Sequence, residues 1–401
     1  MPAPPFAIEH LYVHVPFCPT ICPFCSFHVL RRGEDLVRAY LRRLDRELAD
    51  TADAWASVHP LPPLRSVYLG GGTPSHLHDD ELAELLDAVR RRFPLAADAE
   101  LGLEVHPHNV TPGRPRRWRE LGFNRVSVGV QSTQDAVLRR LGRRHDAAAA
   151  LAALDAVLEV DGWTVNADLI VAAPGQDVAA DLHAVAGRGV HHLAAYTLTI
   201  EAGTPFERRG VQVDEEDERA ALVAAGDLLP GYGLHRYEVS NHARAGRQCA
   251  HNLAYWRGAH WFGVGPSATA SLPTPLPGHD GARPVESAGV VPGNRAGAAA
   301  MGVRALCRNP DLDAWLRGEP PTVEVLDATE VARTRLLTGL RLAEGVERAV
   351  LDRAIGGDDP EAPTRLVDGL RTLGWLEQRG ERLHATRSGL LVLDQLLARL
   401  W

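Results

Sequence analysis

The chain has 401 residues, 45% of them hydrophobic, and carries 43 Lys and Arg against 51 Asp and Glu for a formal net charge of −8. That length suits two or three domains, and an acidic balance with no dense basic block excludes nucleic acid as the main partner. No apolar run reaches the roughly 18 residues of a membrane span, and residues 1–6 lack the basic and apolar regions of an export signal, so a cytoplasmic protein with no transmembrane segment is expected.

Between residues 10 and 200, short β-rich runs alternate with longer helical stretches, the pattern of a parallel α/β sheet. Strands are expected at 11–15, 66–69, 101–105, 125–130, 164–171 and 192–199, with helices such as 35–50 and 79–92 between them. Asp79 would cap the second of these helices, with more carboxylates in its first turn. The group Arg114, Arg116, Arg117 and Arg119 reads as a solvated helix start. Six such units predict an α/β fold built on a partial (β/α)6, TIM-like barrel with its site at the C-terminal ends of the strands. Residues 1–271 would form this core and its extension. Residues 272–300, rich in Pro, Gly and Ala, read as a linker or surface insertion. Residues 301–401 would be a small helical, winged-helix-like C-terminal domain, with helices at 328–342 and 363–373, a hairpin from Gly374, and a last helix at 389–400.

Directly after the first strand come Cys18, Cys22 and Cys25, three of the five cysteines. Three thiolates so close can hold three irons of a [4Fe–4S] cube, and with no fourth cysteine nearby one iron keeps an open position. A zinc knuckle would instead show two separated ligand pairs. Gly70-Gly71-Gly72-Thr73-Pro74 follows the second strand, and glycines there let backbone approach a ligand. Glu104, Gln131 and Asp168 fall at the ends of the third, fourth and fifth strands, where each could meet a ligand or cap a turn.

The Cys-x3-Cys-x2-Cys spacing resembles the radical S-adenosylmethionine (SAM) superfamily, and that resemblance implies a cluster whose fourth iron is chelated by SAM. Further matches sharpen it to the oxygen-independent coproporphyrinogen III oxidase-like family. They are Tyr12-Val-His14-Val-Pro-Phe-Cys18, the triple glycine, residues 124–132, Arg143-Arg-His145, Asp168-Leu-Ile with Pro174-Gly-Gln176, residues 237–241 and residues 340–345. The resemblance implies that Tyr12, Gly71 and Glu104 contact the SAM on the cluster. It implies that Phe24, Gly72, Thr73, Gln131, Arg143 and Asp168 surround a second SAM, so one or two SAM molecules are expected.

Phe27 stands where the oxidases carry a further cysteine, which demotes porphyrinogen oxidation. His251-Asn252-Leu-Ala-Tyr255-Trp256 resembles the His-Asn-x-x-Tyr-Trp of the family's heme chaperones, implying that these four residues meet heme or substrate. The leading expectation is therefore a protein that binds heme and hands it to an apo-heme-protein, served by a low-potential electron donor. The alternative is a two-SAM radical methyltransferase or cyclopropanase acting on a small aromatic substrate. Three departures from the chaperone pattern surround the expected site: Ser26 after the third cysteine, His106 after Glu104, and Thr269 in place of a histidine.

Overall fold

Apolar residues at alternate positions build a row of parallel strands under a layer of helices. The computed structural model describes residues 7–274, 276, 303–357, 359–393 and 396. In chain order the first half runs β1 (His10–Val15), α1 (Glu34–Ala56), β2 (Leu64–Gly71), α2 (Asp79–Arg92), β3 (Leu95–Val105), α3 (Arg114–Glu120), β4 (Arg125–Gln131), α4 (Asp135–Arg140), α5 (Ala147–Leu158), β5 (Thr164–Val171), α6 (Val178–Ala186) and β6 (His192–Thr197). β1 to β6 pair parallel in sequence order, His10 opposite Ser66 at one end and Ile170 opposite Tyr196 at the other. Leu11, Val13 and Val15 of β1 and Val67 and Leu69 of β2 are fully buried in one core with Tyr40, Leu44 and Leu48 of α1.

Next come α7 (Pro205–Arg208), α8 (Glu215–Leu228), β7 (His235–Arg236), β8 (Asn241–Ala243), α9 (Ala250–Trp256) and β9 (Phe262–Val264). β9 adds parallel to β1, and β8 adds antiparallel to β6, giving the nine-stranded order β7-β8-β6-β5-β4-β3-β2-β1-β9. The edges do not meet, so the barrel is partial, as the strand count predicted.

Positions facing the interior are polar. At the N-terminal ends of the strands α9 closes the floor. Glu100 accepts from Arg125 Nε at 2.7 Å and from the His251 backbone N–H at 3.3 Å, while Arg125 donates to the carbonyls of Arg247 and Gln248 at 2.7 and 2.8 Å. His251 stacks on Tyr68, with ring centroids 5.1 Å apart and planes within 9°. Its nitrogens meet Ser66 Oγ and the Tyr255 hydroxyl, each at 3.2 Å.

Beyond the barrel lie β10 (Thr269–Pro273), β11 (Arg304–Arg308), α10 (Leu312–Leu316) and β12 (Thr322–Leu326), the three strands forming an antiparallel sheet. The C-terminal part contains α11 (Ala328–Gly339), β13 (Val346–Glu347), α12 (Arg348–Ile355), α13 (Ala362–Thr372), β14 (Leu376–Arg379), β15 (Arg382–Ala385) and α14 (Arg387–Leu391). It has its own core, with Leu336, Val350, Val367 and Leu383 at its centre. The helices expected at 328–342 and 363–373 and the hairpin fall close to α11, α13, β14 and β15, a third strand joins the hairpin, and the last helix expected at 389–400 begins in α14 at Arg387, with residues 394–395 and 397–400 outside the described residues.

Three expectations change or narrow. Of the linker and the surface insertion expected for residues 272–300, the pairing of β10 with β11 across them, Pro273 opposite Arg304, fits the insertion; apart from 272–274 and 276 they lie outside the described residues. The C-terminal core accordingly starts in α11 rather than at 301, since α10 packs Trp315 against Tyr40 of α1 with ring centroids 5.5 Å apart. Glu47 of α1 secures that join, accepting from Gly265 N–H at 2.8 Å, Asn309 Nδ2 at 2.6 Å and Trp315 Nε1 at 3.0 Å. The N-cap of α2 is His78, one residue before the expected Asp79. Asp79 instead takes Arg114 Nε at 2.9 Å.

Trp315→Ala should lower stability by about 3–5 kcal/mol, the cost of emptying a buried indole site, read as a lower denaturant midpoint for the barrel transition. A second expectation concerns pH. Burial holds both His251 and His242 neutral, lowering each pKa from 6.5 to about 3. Below pH 6.5 the unfolded chain binds protons that the folded chain refuses, so stability should fall as pH drops from 6.5 toward about 3. Denaturation at pH 7, 5.5 and 4 checks the slope, which His242→Gln should make shallower.

Candidate cofactor site

At the C-terminal ends of the strands, opposite the α9 floor, a cavity of about 460 Å³ opens. The loop after β1 forms one wall. An isolated bridge pairs Phe17 with Leu30, and Cys18 N–H donates to Leu30 O at 2.8 Å, so the loop is tied at its base. Within it Cys25 N–H donates to Cys22 O at 3.1 Å, a turn that brings the second and third thiols onto one side. All three thiols line the cavity. Burial pushes the Cys18 thiol up to about 11, against a hydroxyl contact with Thr73 at 3.3 Å.

The second wall is the glycine turn after β2. Gly72 N–H donates to Val15 O and Thr73 N–H to Phe17 O, both at 2.9 Å, which lays the turn along the end of β1. Gly71 has φ +106°, and a Cβ there would lie 2.4 Å from the His14 ring. At Gly72 a Cβ would lie 2.9 Å from backbone atoms of Val15 and Pro16. No side chain fits at either position.

Two carboxylates form the base. Gly71 N–H donates to Glu104 Oε2 at 3.2 Å. Burial, then repulsion from Asp168, raises Glu104 to about 8. Burial also raises Asp168, against donors from Ser127 at 2.8 Å and Asn166 at 2.7 Å. Gln131 ends β4 in a left-handed conformation, φ +69°, a strained backbone for a residue with a side chain. Its Oε1 accepts from the Tyr196 hydroxyl at 2.6 Å. Arg143 lies over Phe24, 5.6 Å from the ring centroid, and its buried Nε has no partner among the described atoms.

The cavity thus gathers Cys18, Cys22, Cys25, Phe24, Gly71, Gly72, Thr73, Glu104, Gln131, Arg143 and Asp168 from six separate segments. Tyr12 lies below the cavity, its hydroxyl 3.1 Å from His14 Nδ1, so it touches the glycine turn through His14. His251, Asn252, Tyr255 and Trp256 are absent from the cavity. They belong to the floor helix, where His251 is 2% exposed with both ring nitrogens engaged. The four residues expected to meet heme or substrate therefore stand together on the floor helix, apart from the cavity that gathers the cysteines.

Sequence reasoning missed Ser127 and Tyr196, which also line the cavity. The signal for Ser127 was its place two residues after Arg125 on the inward face of β4; Tyr196 had only the strand-end rule. His106, counted as a departure, lines the cavity too and sits edge-on to His145, ring centroids 5.1 Å apart.

The donor set fits an iron–sulfur cube. Among the described residues no group of three His, Cys, Asp or Glu side chains is drawn close enough to hold a single ion. A cube asks something different, since each thiolate binds its own iron and the sulfurs stand apart around one face. Three thiols facing one cavity, with two carboxylates opposite, suit a cluster next to a cationic ligand.

Residues 12–183 match the radical SAM superfamily, so a [4Fe–4S] cluster and SAM are implied. The heme chaperone HemW of Mycobacterium tuberculosis is 40% identical over 283 residues, covering 67% of this chain and 70% of that one. HemW of Escherichia coli is 36% identical over 275 residues, with 66% and 70% covered. HemW of Synechocystis is 32% identical over 394 residues, covering 92% of this chain and 86% of that one. The chain belongs to the HemW family of radical SAM proteins. The structure of coproporphyrinogen III oxidase (HemN) from Escherichia coli superposes with a TM-score of 0.76 over 99% of this chain and 90% of that one, at 20% identity. The fold is the HemN fold. No described helix is long and apolar enough to cross a membrane.

Anaerobic reconstitution should load about four irons and four sulfides per chain. Cys18→Ala, Cys22→Ala and Cys25→Ala should each lose the intact cube, whereas Cys249→Ala and Cys307→Ala should keep it. Iron and sulfide analysis with the visible spectrum reads the difference.

Proposed function

We propose that this protein is a heme chaperone of the cytosol, binding heme and delivering it to an apo-heme-protein. The observation that carries the reading is similarity to HemW along nearly the whole chain, 92% of it against the Synechocystis protein. In this reading Cys18, Cys22 and Cys25 hold the cluster, reduced by a low-potential donor. SAM lies on Gly71 and Glu104, with Tyr12 supporting the glycine turn through His14. Phe24, Gly72, Thr73, Gln131, Arg143 and Asp168 share that cavity, where they would serve the rest of the same SAM or a second one. Bound there, the cluster and SAM supply one-electron chemistry.

The chain's own groups have simpler work. A cation in the cavity favours the ionised forms of the buried carboxyls Glu104 and Asp168, which burial otherwise raises, and the two glycines let it approach backbone. Arg143 Nε offers a free donor. His251, Asn252, Tyr255 and Trp256 act from the floor, keeping the barrel closed rather than ligating heme iron.

Adding SAM should change the electron paramagnetic resonance signal of the reduced cluster. Glu104→Ala should weaken SAM binding by about 1–3 kcal/mol if a buried hydroxyl of the ligand loses its acceptor. A spectrum indifferent to excess SAM would sink the cavity assignment.

Heme uptake tests the chaperone itself: protein with an intact cluster should bind close to one equivalent and pass it to an apo-cytochrome, releasing little methylated product from small aromatics. His251→Ala should cost fold stability more than heme uptake. If the unaltered protein ignores heme, the two-SAM methyltransferase becomes the leading reading, with Ser26 and Thr269 as marks of a different pocket.

A further inference from the structure

Asp168 stands at the cavity end of a hydrogen-bonded chain that crosses the barrel interior. Ser127 Oγ donates to its Oδ2 at 2.8 Å, and Asn166 Nδ2 donates to its Oδ1 at 2.7 Å. With its nitrogen turned to Asp168, Asn166 presents Oδ1 to His192 Nδ1 at 2.6 Å, so that ring nitrogen carries the proton. His192 is 2% exposed, and burial, then Arg125, keeps its ring neutral. A neutral ring protonated at Nδ1 has a bare Nε2, and this accepts from the Tyr237 hydroxyl at 2.9 Å. The Tyr237 oxygen is also hydrogen-bonded by the backbone at Cys249, which leaves its own proton for His192. Every donor in the series points toward the Asp168 carboxylate.

The far end is anchored outside the barrel. Ala343 N–H donates to Tyr237 O at 2.9 Å, and Glu238 bridges to Leu342. Val239 packs on the C-terminal core. The segments 237–241 and 340–345, both singled out in the sequence and neither lining the cavity, therefore grip each other where the chain begins.

We propose that Tyr237, His192 and Asn166 are positioning residues, a one-way relay of donors that keeps Asp168 ionised and aimed at a cationic ligand in the cavity and that is fixed by the C-terminal domain. The inference rests on the reading that the cavity takes SAM, whose sulfonium is such a cation. The physical basis is direction. Hydrogen bonds in series polarise one another, and this order is held from both ends, by Asp168, which can only accept, and by Tyr237, which donates to His192 Nε2. Without that hydroxyl, His192 can move its proton to Nε2. Nδ1 would then accept, Asn166 would turn its nitrogen to the ring, and a carbonyl oxygen would face Asp168. One missing atom at the far end thus lets the reversed order, with an oxygen facing Asp168, compete with the native one.

The test is SAM affinity by calorimetry on anaerobically reconstituted protein, alongside cluster content and unfolding midpoint. Tyr237→Phe and His192→Leu should bind SAM about three- to tenfold more weakly, the scale of one or two internal hydrogen bonds. His192→Gln should stay within about twofold of the unaltered protein, because a carboxamide sets a donor and an acceptor side by side as neutral imidazole does. A purely structural role would not separate Gln from Leu in this way. Wild-type affinity in Tyr237→Phe overturns the proposal, as does equal affinity in the Gln and Leu variants. If His192→Gln fails to fold, Tyr237→Phe decides alone. If the unaltered protein binds no SAM, the cavity reading falls, and this inference with it.

Discussion

The polar interior of the half barrel is the constraint on which the rest of the structure depends. A buried polar group without a partner costs about 1–3 kcal/mol, so Glu100, Arg125, His192 and His251 are tolerable only as a satisfied set. That requirement explains why α9 must return to the floor. Its backbone supplies the carbonyls that Arg125 needs and the N–H that Glu100 accepts. It also explains the small residues inside. A Cβ at Gly102 would come within 2.5 Å of the Tyr68 ring, and one at Gly70 within 2.9 Å of Glu104. Glycine at those positions leaves room for larger polar side chains next door.

The same economy sorts the two ends of the barrel. At the floor, the donors and acceptors of Glu100, Arg125 and His251 are engaged with one another and with α9. At the mouth, satisfaction is incomplete: burial raises both Glu104 and Asp168, Asp168 raises Glu104 further, and Arg143 Nε has no described partner. Binding capacity arises where satisfaction is incomplete.

Much of this was legible because strand alternation and strand ends are local properties. Cys18, Glu104, Gln131 and Asp168 each follow or close a strand, and parallel strands deliver their C-terminal ends to one place. The first half of β3 escaped notice because exposed residues such as Asp98 break its apolar pattern, although Leu95 pairs with Leu64. The destination of His251-Asn-Leu-Ala-Tyr-Trp was illegible for a deeper reason. Imidazole flanked by aromatic rings is equally suited to a macrocycle and to a barrel floor, and only contacts with Ser66 and Tyr68, nearly two hundred residues away, distinguish them. His192 gave no local signal either, since its role depends on which way Asn166 turns.

The pairing of β10 with β11 has an outcome for the chain's handling. Pro273 sits directly opposite Arg304, so whatever joins them enters and leaves the fold through one gate in a three-stranded sheet. Loop closure grows costlier only slowly with length, about 0.6 kcal/mol for each doubling. Added or removed length between these two strands should therefore cost the barrel little stability. A fluorescent reporter or affinity tag spliced between the two strands would inherit that tolerance.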